Sequence, residues 1–447
     1  MKDIIKNQCF NYYIIGWRIL FLMIINENVI EADFLIIPDD TKYWFVRAGS
    51  KAEFYYDFKY NNFIAIGDNE IKLKNLNGIP DRFRALNSTL KLEYKRLFNE
   101  EYLNSLMDSQ KYKDLQKSEQ SDEIEKVKRS SSISSSKTFS FVEEMDIGDY
   151  ILVPYKSSDV FLIGIVISDV FDHQVEHEYL GIDQQYPISD YEKKRRILWI
   201  KEIGQKELPE KLMWIQNGHR AIFDITSSAD DINPLLSTEF IYKGNASVRV
   251  NVGTENKVSS STWLQYQIVI NQNAQGQADE VFQKNKVQSV GHTILEMAID
   301  NPEILIIIGA SLFHEMDFNV YGIKFKTHGP LSFLIPGSKK KRENENRNNE
   351  LDLEKKEEEV KSLKLNNNAI EINNKKETIL LEELKKRSDL TNRTAEDIKI
   401  TDVSISKNPE QQEALNNMKI SQKSIGTEIS PERQKVIQNL VKTEFEQ

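Results

Sequence analysis

Cysteine is almost absent from this sequence, since Cys9 is the only one among 447 residues. A single thiol excludes a disulfide framework and a zinc site built on thiolates, and it is typical of a reducing compartment. We therefore expect a cytoplasmic location. The sequence also lacks an excess of positive charge, because its net charge is −10. Any nucleic-acid binding must therefore come from a local basic patch.

Long apolar runs are missing as well. The most apolar stretch near the start, 10–25, is shorter than the ~20 residues that a spanning helix needs, and Arg18 in its middle would be costly in a bilayer. No small-residue cleavage site follows it, which argues against a signal peptide. We predict a packed or poorly ordered N-terminal extension over 1–40. The alternative is a membrane anchor, although we do not expect a membrane partner.

Aromatic residues are scarce at the other end of the chain. Phe445 is the only one in 338–447, a region that opens with Lys339-Lys340-Lys341-Arg342 and continues rich in Asn, Glu and Lys. Such a segment cannot bury enough apolar surface to offset the conformational entropy lost on folding. It predicts a largely disordered, charged C-terminal tail with short helices, one near 379–384 and one that begins at Pro431.

The clearest pattern that is present is a β-hairpin over 146–170. Turn residues at 147–149 precede an apolar strand over 150–154, and a polar turn separates it from a second apolar strand over 161–167. Strands that are apolar on both faces are typical of a barrel interior. Gly164 interrupts the second strand, and glycine inside a strand often marks a bulge or a close approach.

Around this hairpin we predict one domain over 41–230. It starts as strand, helix and strand over 43–67, continues with a helix over 91–107, and ends with strands over 197–203 and 221–225. Low-complexity sequence rich in charge and serine predicts a disordered insertion at about 108–137. The segment 171–191 has no clear periodicity and predicts a surface loop.

A second domain is expected over 231–337. Its apolar patterns predict strands over 247–252, 263–271, 304–308, 320–325 and 331–335 and a helix over 283–298. These elements give an α+β domain of ordinary size. Its sequence does not indicate a role.

Several short motifs of the first domain occur in one order along the chain. They are YWFVRAG from Tyr43, FIAIG from Phe63, GDYILVP from Gly148, FLIGIVIS from Phe161, RRILWIKEI from Arg195, LPEKL from Leu208 and AIFDI from Ala221. This series resembles the N-terminal module of Mrr-type restriction endonucleases and the wider PUA-like group that contains EVE domains. The resemblance covers about 42–225 and implies a small PUA-like β-barrel with flanking helices and a pocket for a flipped, often modified, base. The long insertion departs from that pattern.

The resemblance places the pocket at the end of the first strand and at the turn after the GD strand. A basic cluster before the strand at 197–203 could contact phosphates, with a charged strand entrance as the alternative. Tryptophans in strands could stack a base or pack in the core. The candidate nucleic-acid-binding residues are Arg47, Gly49, Tyr155, Lys156, Ser157, Lys193, Lys194, Arg195, Arg196 and Trp199.

Catalytic and metal-binding patterns are weak in this sequence. His173 to His177 matches the H-x-x-E-H pattern of zinc peptidases, but it sits in an acidic stretch without a long helix, so we expect a solvated loop there. We expect no cofactor and no metal. The predicted function is non-catalytic recognition of nucleic acid, with a modified base in DNA as the expected ligand, in a restriction-like defence setting and with a nuclease or helicase as a partner protein. The alternatives are a nuclease whose active centre lies in 231–337 and a protein-interaction scaffold.

Overall fold

The computed structural model of the chain describes residues 17–25, 28–172, 186–217, 220–287, 291–298, 302–313, 318–327, 403–405 and 407–430. These residues form two compact units. The described part of the first unit is 40–236 with 425–430, and that of the second is 17–39 with residues between 237 and 424. Each unit combines one sheet with helices, which confirms the predicted α+β class. No helix of the described residues is both long enough and apolar enough to span a bilayer.

The strands are numbered here in chain order. They are β1 (Trp17–Ile25), β2 (Asn28–Ile36), β3 (Tyr43–Val46), β4 (Phe63–Ile66), β5 (Tyr150–Pro154), β6 (Val160–Val166), β7 (Lys193–Gly204), β8 (Ile222–Asp224), β9 (Glu239–Tyr242), β10 (Asn245–Val252), β11 (Phe282–Val287), β12 (Gly291–Ala298), β13 (Phe318–Thr327), β14 (Val403–Ile405), β15 (Ile420–Ser421) and β16 (Thr427–Glu428).

The α-helices are numbered in the same way. They are α1 (Tyr55–Asn61), α2 (Leu73–Asn77), α3 (Asp81–Arg84), α4 (Asn87–Asp108), α5 (Gln110–Lys113), α6 (Lys117–Phe139), α7 (Ala229–Leu236), α8 (Ser260–Asn273), α9 (Pro302–Phe313) and α10 (Pro409–Met418). Short 3₁₀ turns cover Ser50–Ala52, Lys156–Ser158, Gln205–Glu207, Glu210–Asn217, Thr226–Ser228 and Ala278–Glu280, and a π-helical turn, Ser140–Glu144, follows α6.

The sheet of the first unit curves into a half-barrel around an apolar core. Its strand order is β16-β7-β6-β5-β3-β8, and β4 pairs with the first residues of β7. Strands β3 and β5 are parallel, so the chain between them must cross over, which it does through α1 to α6 and β4. The long strand β7 pairs with β4 at its start and with β6 along the rest.

The predicted hairpin is confirmed as β5 and β6, an antiparallel pair. Gly164 marks a bulge, because Ile163 pairs with Lys201 while Gly164 pairs with Trp199. The same glycine is also a close approach, since a Cβ there would lie 2.5 Å from Trp199 Cε3. Gly164 therefore marks both a bulge and a close approach, the two features that a glycine in this strand predicts.

The insertion at 108–137 is helical, so the prediction of disorder there is wrong. α6 packs antiparallel to α4, and the Tyr94 and Phe139 rings meet edge to face at 5.2 Å. The side chains of Ser131, Ser135 and Thr138 are buried and follow helical spacing. Serine can be buried there because its hydroxyl donates to its own helix, as from Ser131 to the Lys128 carbonyl at 3.1 Å.

The sheet of the second unit has the order β11-β12-β10-β9-β2-β1-β13-β14, with β15 beside β10. Helices α8, α9 and α10 contribute side chains to the apolar core that β10 and β12 also line. The N-terminal run that we predicted as an extension therefore supplies strands β1 and β2 to this sheet. The predicted boundary at 230/231 lies within α7, and the long segment of the first unit that starts at Asp40 ends at Leu236.

Three elements of the second unit have the opposite type from the one predicted. The segments 263–271 and 304–308 belong to helices α8 and α9, and the described parts of 283–298, which are 283–287 and 291–298, belong to strands β11 and β12. A short apolar run does not distinguish a buried helix from a buried strand. β10 and β13 confirm the strands at 247–252 and 320–325, while the strand at 331–335 lies outside the described residues.

Part of the predicted tail is ordered. Helix α10 begins at Pro409 after Asn408, whose side-chain oxygen accepts from the Gln411 N–H at 2.8 Å, and it buries Leu415 and Met418 in the second unit. Strand β16 belongs to the first unit, where it pairs with β7. Helix α10 was not predicted, and the two predicted tail helices, near 379–384 and from Pro431, lie outside the described residues.

Candidate functional site

The first unit has a cavity of about 370 Å³ beside the ends of β3 and β4. That volume is within the range of small-ligand pockets, about 300–1,000 Å³. Backbone and side chains from five different segments line it: Arg47, Gly49, Ser50, Lys51, Ala65, Ile66, Gly67, Lys137, Tyr191, Ala221 and Ile222. This cavity is hereafter called the pocket.

The loop after β3 forms one side of the pocket in a strained conformation. Gly49 has a φ of 76°, and a Cβ there would lie 2.6 Å from the Phe54 ring, so only glycine fits. Lys51 and Ala52 have φ values of 52° and 57°, which residues other than glycine rarely adopt. The Ser50 N–H donates to Glu53 Oε1 at 3.0 Å and holds the turn. Strained backbone of this kind is concentrated at functional sites.

Tyr191 provides an aromatic wall of the pocket. Its ring meets Phe54 edge to face at 5.1 Å, and a Cβ on Gly67 would lie 3.1 Å from its Cε1. The glycine therefore allows the ring to lie flush against the end of β4. Burial raises the pKa of the Tyr191 phenol, which keeps it neutral. A neutral ring held in this way can stack on a flat ligand.

Three cationic side chains line the pocket, namely Arg47, Lys51 and Lys137, and none of the described lining residues is acidic. Lys137 is held by Asp68, because its Nζ lies 2.5 Å from Asp68 Oδ2. Burial alone would raise the pKa of Asp68, but the Lys137 charge and hydrogen bonds from Lys137, Tyr102 and Ser134 hold it below its usual value. The charge of Lys137 is thus balanced by Asp68, and Arg47 and Lys51 are the lining cations that suit a ligand with negative charge.

The structure brings together the two loops that the sequence indicated. Arg47 and Gly49 line the pocket, and the 3₁₀ turn Ser50–Ala52 contacts the turn Lys156–Ser158. Lys156 and Ser157 lie in that second turn, next to the pocket loop. Tyr155 is not a lining residue, because its ring packs on Tyr55 at 4.9 Å and on Tyr56 at 5.4 Å.

The basic cluster 193–196 does not lie on the surface, so the expected phosphate contact is not compatible with the structure. All four side chains are buried at the start of β7. Arg195 donates to the carbonyls of Phe141, Val142 and Ser168 at 2.8 to 3.1 Å. Cations that are buried and bonded to backbone in this way hold the fold together.

Lys193, Lys194 and Arg196 have similar surroundings. Lys193 Nζ donates to the carbonyls of Asp68 and Ile71 at 2.8 and 2.9 Å, and burial lowers the pKa of Lys193 to about 8. Burial also lowers the pKa of Lys194. Arg196 donates to the Asn61 carbonyl at 2.7 Å.

Trp199 is fully buried, so the expected stacking of a base on it is not compatible with the structure. Its Nε1–H donates to the Phe58 carbonyl at 2.9 Å. Trp44 is buried as well, and its Nε1–H donates to Asp149 Oδ2 at 2.8 Å. Both indoles hold the core, which was the alternative interpretation of these residues.

Four polar side chains of the lining were not identified from the sequence, namely Ser50, Lys51, Lys137 and Tyr191. Lys137 lies in the segment expected to be disordered, and Tyr191 lies at the end of a segment expected to be a surface loop. The helical spacing of Ser131, Ser135 and Thr138 was the available signal that Lys137 belongs to a packed helix.

No group of three or more His, Cys, Asp and Glu side chains among the described residues could hold a metal ion. The H-x-x-E-H pattern from His173 to His177 lies outside those residues, as does Cys9.

Comparison with known protein families gives a match to part of the chain. A family model described as a domain of unknown function, DUF8426, matches residues 87–221. The matched region starts at α4, includes α6 with Lys137, and ends at Ala221, so it contains the helical insertion and part of the pocket lining. No curated protein and no solved structure matches the chain.

Proposed function

We propose that the first unit recognises nucleic acid without catalysis, by accepting an extruded and modified base of DNA in the pocket. The observation that carries this proposal is the combination, in one cavity, of the Tyr191 ring with the cations Arg47, Lys51 and Lys137. A nucleotide has a flat ring that stacks on an aromatic side chain and a phosphate that binds cations. The resemblance of the strand motifs to PUA-like modules supports the same conclusion.

The loop after β3 supports a role in discrimination between bases. Its backbone is fixed by Gly49 and by the bond from Ser50 N–H to Glu53, so its polar groups are in place before a ligand binds. Preorganised polar groups distinguish a base that pairs with them from one that leaves them unsatisfied. Arg47 is well suited to this, since its planar guanidinium offers donors in a fixed geometry.

The wider setting is also part of the proposal. A reader of modified DNA in a restriction-like defence system would act in the cytoplasm with a nuclease or helicase as its partner. Genes for such a partner next to this one would support that setting. By analogy with such systems, the second unit would hold the effector or the partner-binding part.

Binding of the full-length chain to short DNA tests the proposal. We would measure fluorescence anisotropy with duplexes that carry plain or 5-modified cytosine and with a single strand of the same sequence. Tyr191→Ala should weaken binding about 5- to 150-fold, because a stacking aromatic contributes about 1–3 kcal/mol. Tyr191→Phe keeps the ring and should retain most of the affinity.

Matched variants make the outcome specific. Arg47→Ala should also weaken binding, whereas Lys206→Ala removes an exposed cation of the same unit outside the pocket lining and should have little effect. If folded Tyr191→Ala and Arg47→Ala bind like the parent, the pocket assignment is wrong. A parent that nicks duplex DNA with Mg²⁺ would instead favour a nuclease, and one that binds no nucleic acid would favour a scaffold.

A further inference from the structure

Trp214 is a large aromatic side chain held in solvent. It is 50 % exposed, whereas Trp44 and Trp199 are buried. It lies in the 3₁₀ segment Glu210–Asn217, which is anchored by the fully buried side chains Leu212 and Ile215. The backbone around Trp214 is therefore fixed while its indole faces water. Exposed tryptophan on a fixed support is typical of binding surfaces, where it can provide much of the affinity.

A row of side chains in contact connects Trp214 with the pocket. The Trp214 ring lies 5.6 Å from Phe223, and Phe223 stacks on Phe45 at 4.7 Å. The guanidinium of Arg47 lies over the Phe45 ring at 5.6 Å. Arg47 also lines the pocket, so the row begins at an exposed indole and ends at a pocket residue.

The row follows from the pairing of two strands. Phe45 on β3 pairs with Phe223 on β8, and their neighbours Val46 and Ile222 belong to the apolar core on the other face. Since side chains alternate across a strand, Phe45 and Phe223 lie on the face that is turned away from that core. Trp214 covers this face, and it does so without being buried.

The charges near Trp214 fit a polyanion better than an apolar partner. Lys211 and Arg220 are exposed in the chain on either side of it, and so are the acidic Glu210 and Asp224. Arg47 adds a further cation at the other end of the row. An exposed indole between cations is the usual composition of a surface that stacks the bases of a single strand.

We infer that Trp214 stacks an unpaired base of the same strand whose extruded base occupies the pocket. This inference rests on the proposed function and adds a second binding position to it. The site would favour single-stranded or locally opened nucleic acid, because a base inside a duplex already stacks on its neighbours. The pocket then selects the base, and Trp214 selects the unpaired state of the strand.

Fluorescence titration of the full-length chain with an oligo-deoxythymidylate strand tests this inference. Stacking should quench the indole emission of the parent, and the part of the quenching due to Trp214 should be lost in Trp214→Phe. Trp214→Ala should weaken binding of the strand about 5- to 150-fold. Phe282→Ala removes another exposed aromatic side chain, in the second unit, and should not change the affinity. Circular dichroism would show that each variant is folded.

A mononucleotide, thymidine 5′-monophosphate, separates the two binding positions. A single nucleotide occupies the pocket without extending to Trp214. Trp214→Ala should therefore bind it with the affinity of the parent, whereas Tyr191→Ala should bind it more weakly. If Trp214→Ala binds the strand as tightly as the parent while Tyr191→Ala loses affinity, the inference is wrong and the proposed function stands. If the parent binds neither the strand nor the mononucleotide, both are wrong.

Discussion

Lys137 Nζ lies 2.5 Å from Asp68 Oδ2, which joins the last turn of α6 to the residue that follows Gly67 at the end of β4. The other carboxylate oxygen of Asp68 accepts from Tyr102 on α4 at 2.8 Å. The helical insertion and the half-barrel therefore meet at one half-buried carboxylate beside the pocket. Any change in that carboxylate should affect both the packing of the insertion and the position of a pocket cation.

Replacement of Lys137 tests this link. Lys137→Met leaves the Asp68 carboxylate without its ion-pair partner, and the free energy of unfolding should fall by about 1–3 kcal/mol. The depressed pKa of Asp68 stabilises the parent above the unfolded pKa of about 3.8, and that stability is lost as the pH falls through the lower folded value. Urea unfolding at neutral and acidic pH should show a smaller acid loss in the variant. Lys128→Met, an exposed change on the same helix, should behave like the parent.

Asp149 of the GD turn should have the opposite pH dependence. Burial raises its pKa from 3.8 to about 6, although it accepts from Trp44 Nε1–H and from the N–H groups of Lys42 and Asp146. A raised folded pKa stabilises the protein below the unfolded value, and this contribution is lost as the pH rises through about 6. The stability difference between the parent and Asp149→Asn should therefore shrink between about pH 4 and 6. A difference that grows with pH would show that the carboxylate is favoured in its charged form.

Arg195→Ala should unfold or strongly destabilise the first unit. It removes three charge-assisted bonds and leaves the carbonyls of Phe141, Val142 and Ser168 buried without that donor. Buried groups left unsatisfied cost about 1–3 kcal/mol each, so a loss of more than about 3 kcal/mol is expected. Lys206→Ala, an exposed cation of the same unit, should change stability by less than about 0.5 kcal/mol. A folded Arg195→Ala protein with weaker salt-dependent DNA binding would restore the phosphate-contact interpretation.

Gly164→Ala tests the close approach inside the half-barrel. The new methyl would lie 2.5 Å from both Ile197 Cγ2 and Trp199 Cε3, in a core that cannot make room without a shift. Overpacking of this kind costs about 1–3 kcal/mol, which denaturant unfolding would measure. Gly204→Ala is the matched control on the neighbouring strand, since its nearest neighbour would be Glu207 Oε2 at 3.5 Å. Equal stability of the two variants would contradict the tight packing.

The strands of the half-barrel could be predicted from sequence because their patterns are local. The GD turn, the apolar run from Tyr150 and the glycine at 164 each limit the chain to strand and turn within a few residues. The structure confirms β5, β6 and β8 at nearly the predicted bounds. β7 begins four residues before the predicted strand, because its basic first residues were expected in solvent.

The second unit shows where local patterns are insufficient. The apolar residues of 263–271 would fit either a strand or one side of a helix, and Ser259 decided the outcome by capping α8 through the Thr262 N–H at 3.1 Å. In 304–308 the position of Pro302 at the first residue of α9 was the corresponding signal. In both cases the cap and not the apolar run distinguished helix from strand.

The candidate site was predictable in part for a related reason. Arg47 and Gly49 could be predicted because they lie in the chain directly after a strand. Lys137 and Tyr191 lie 90 and 144 positions after Arg47 in the sequence and reach the pocket only through tertiary packing, which no local pattern records. The prediction that the basic cluster 193–196 contacts phosphates was wrong for a different reason. Charged residues are expected at the surface, and the sequence does not show that interior backbone carbonyls will bind these side chains.

Strand β16 has a consequence for how the protein is made. Thr427 pairs with Glu202, and the side chain of Ile429 is buried in the core of the first unit, so that unit lacks its last strand until synthesis has passed the whole second unit. During synthesis the backbone groups at this edge of β7 therefore stay unpaired and exposed to other chains until β16 has been made. We expect nascent chains halted before Ile425 to need a chaperone more than the finished protein does.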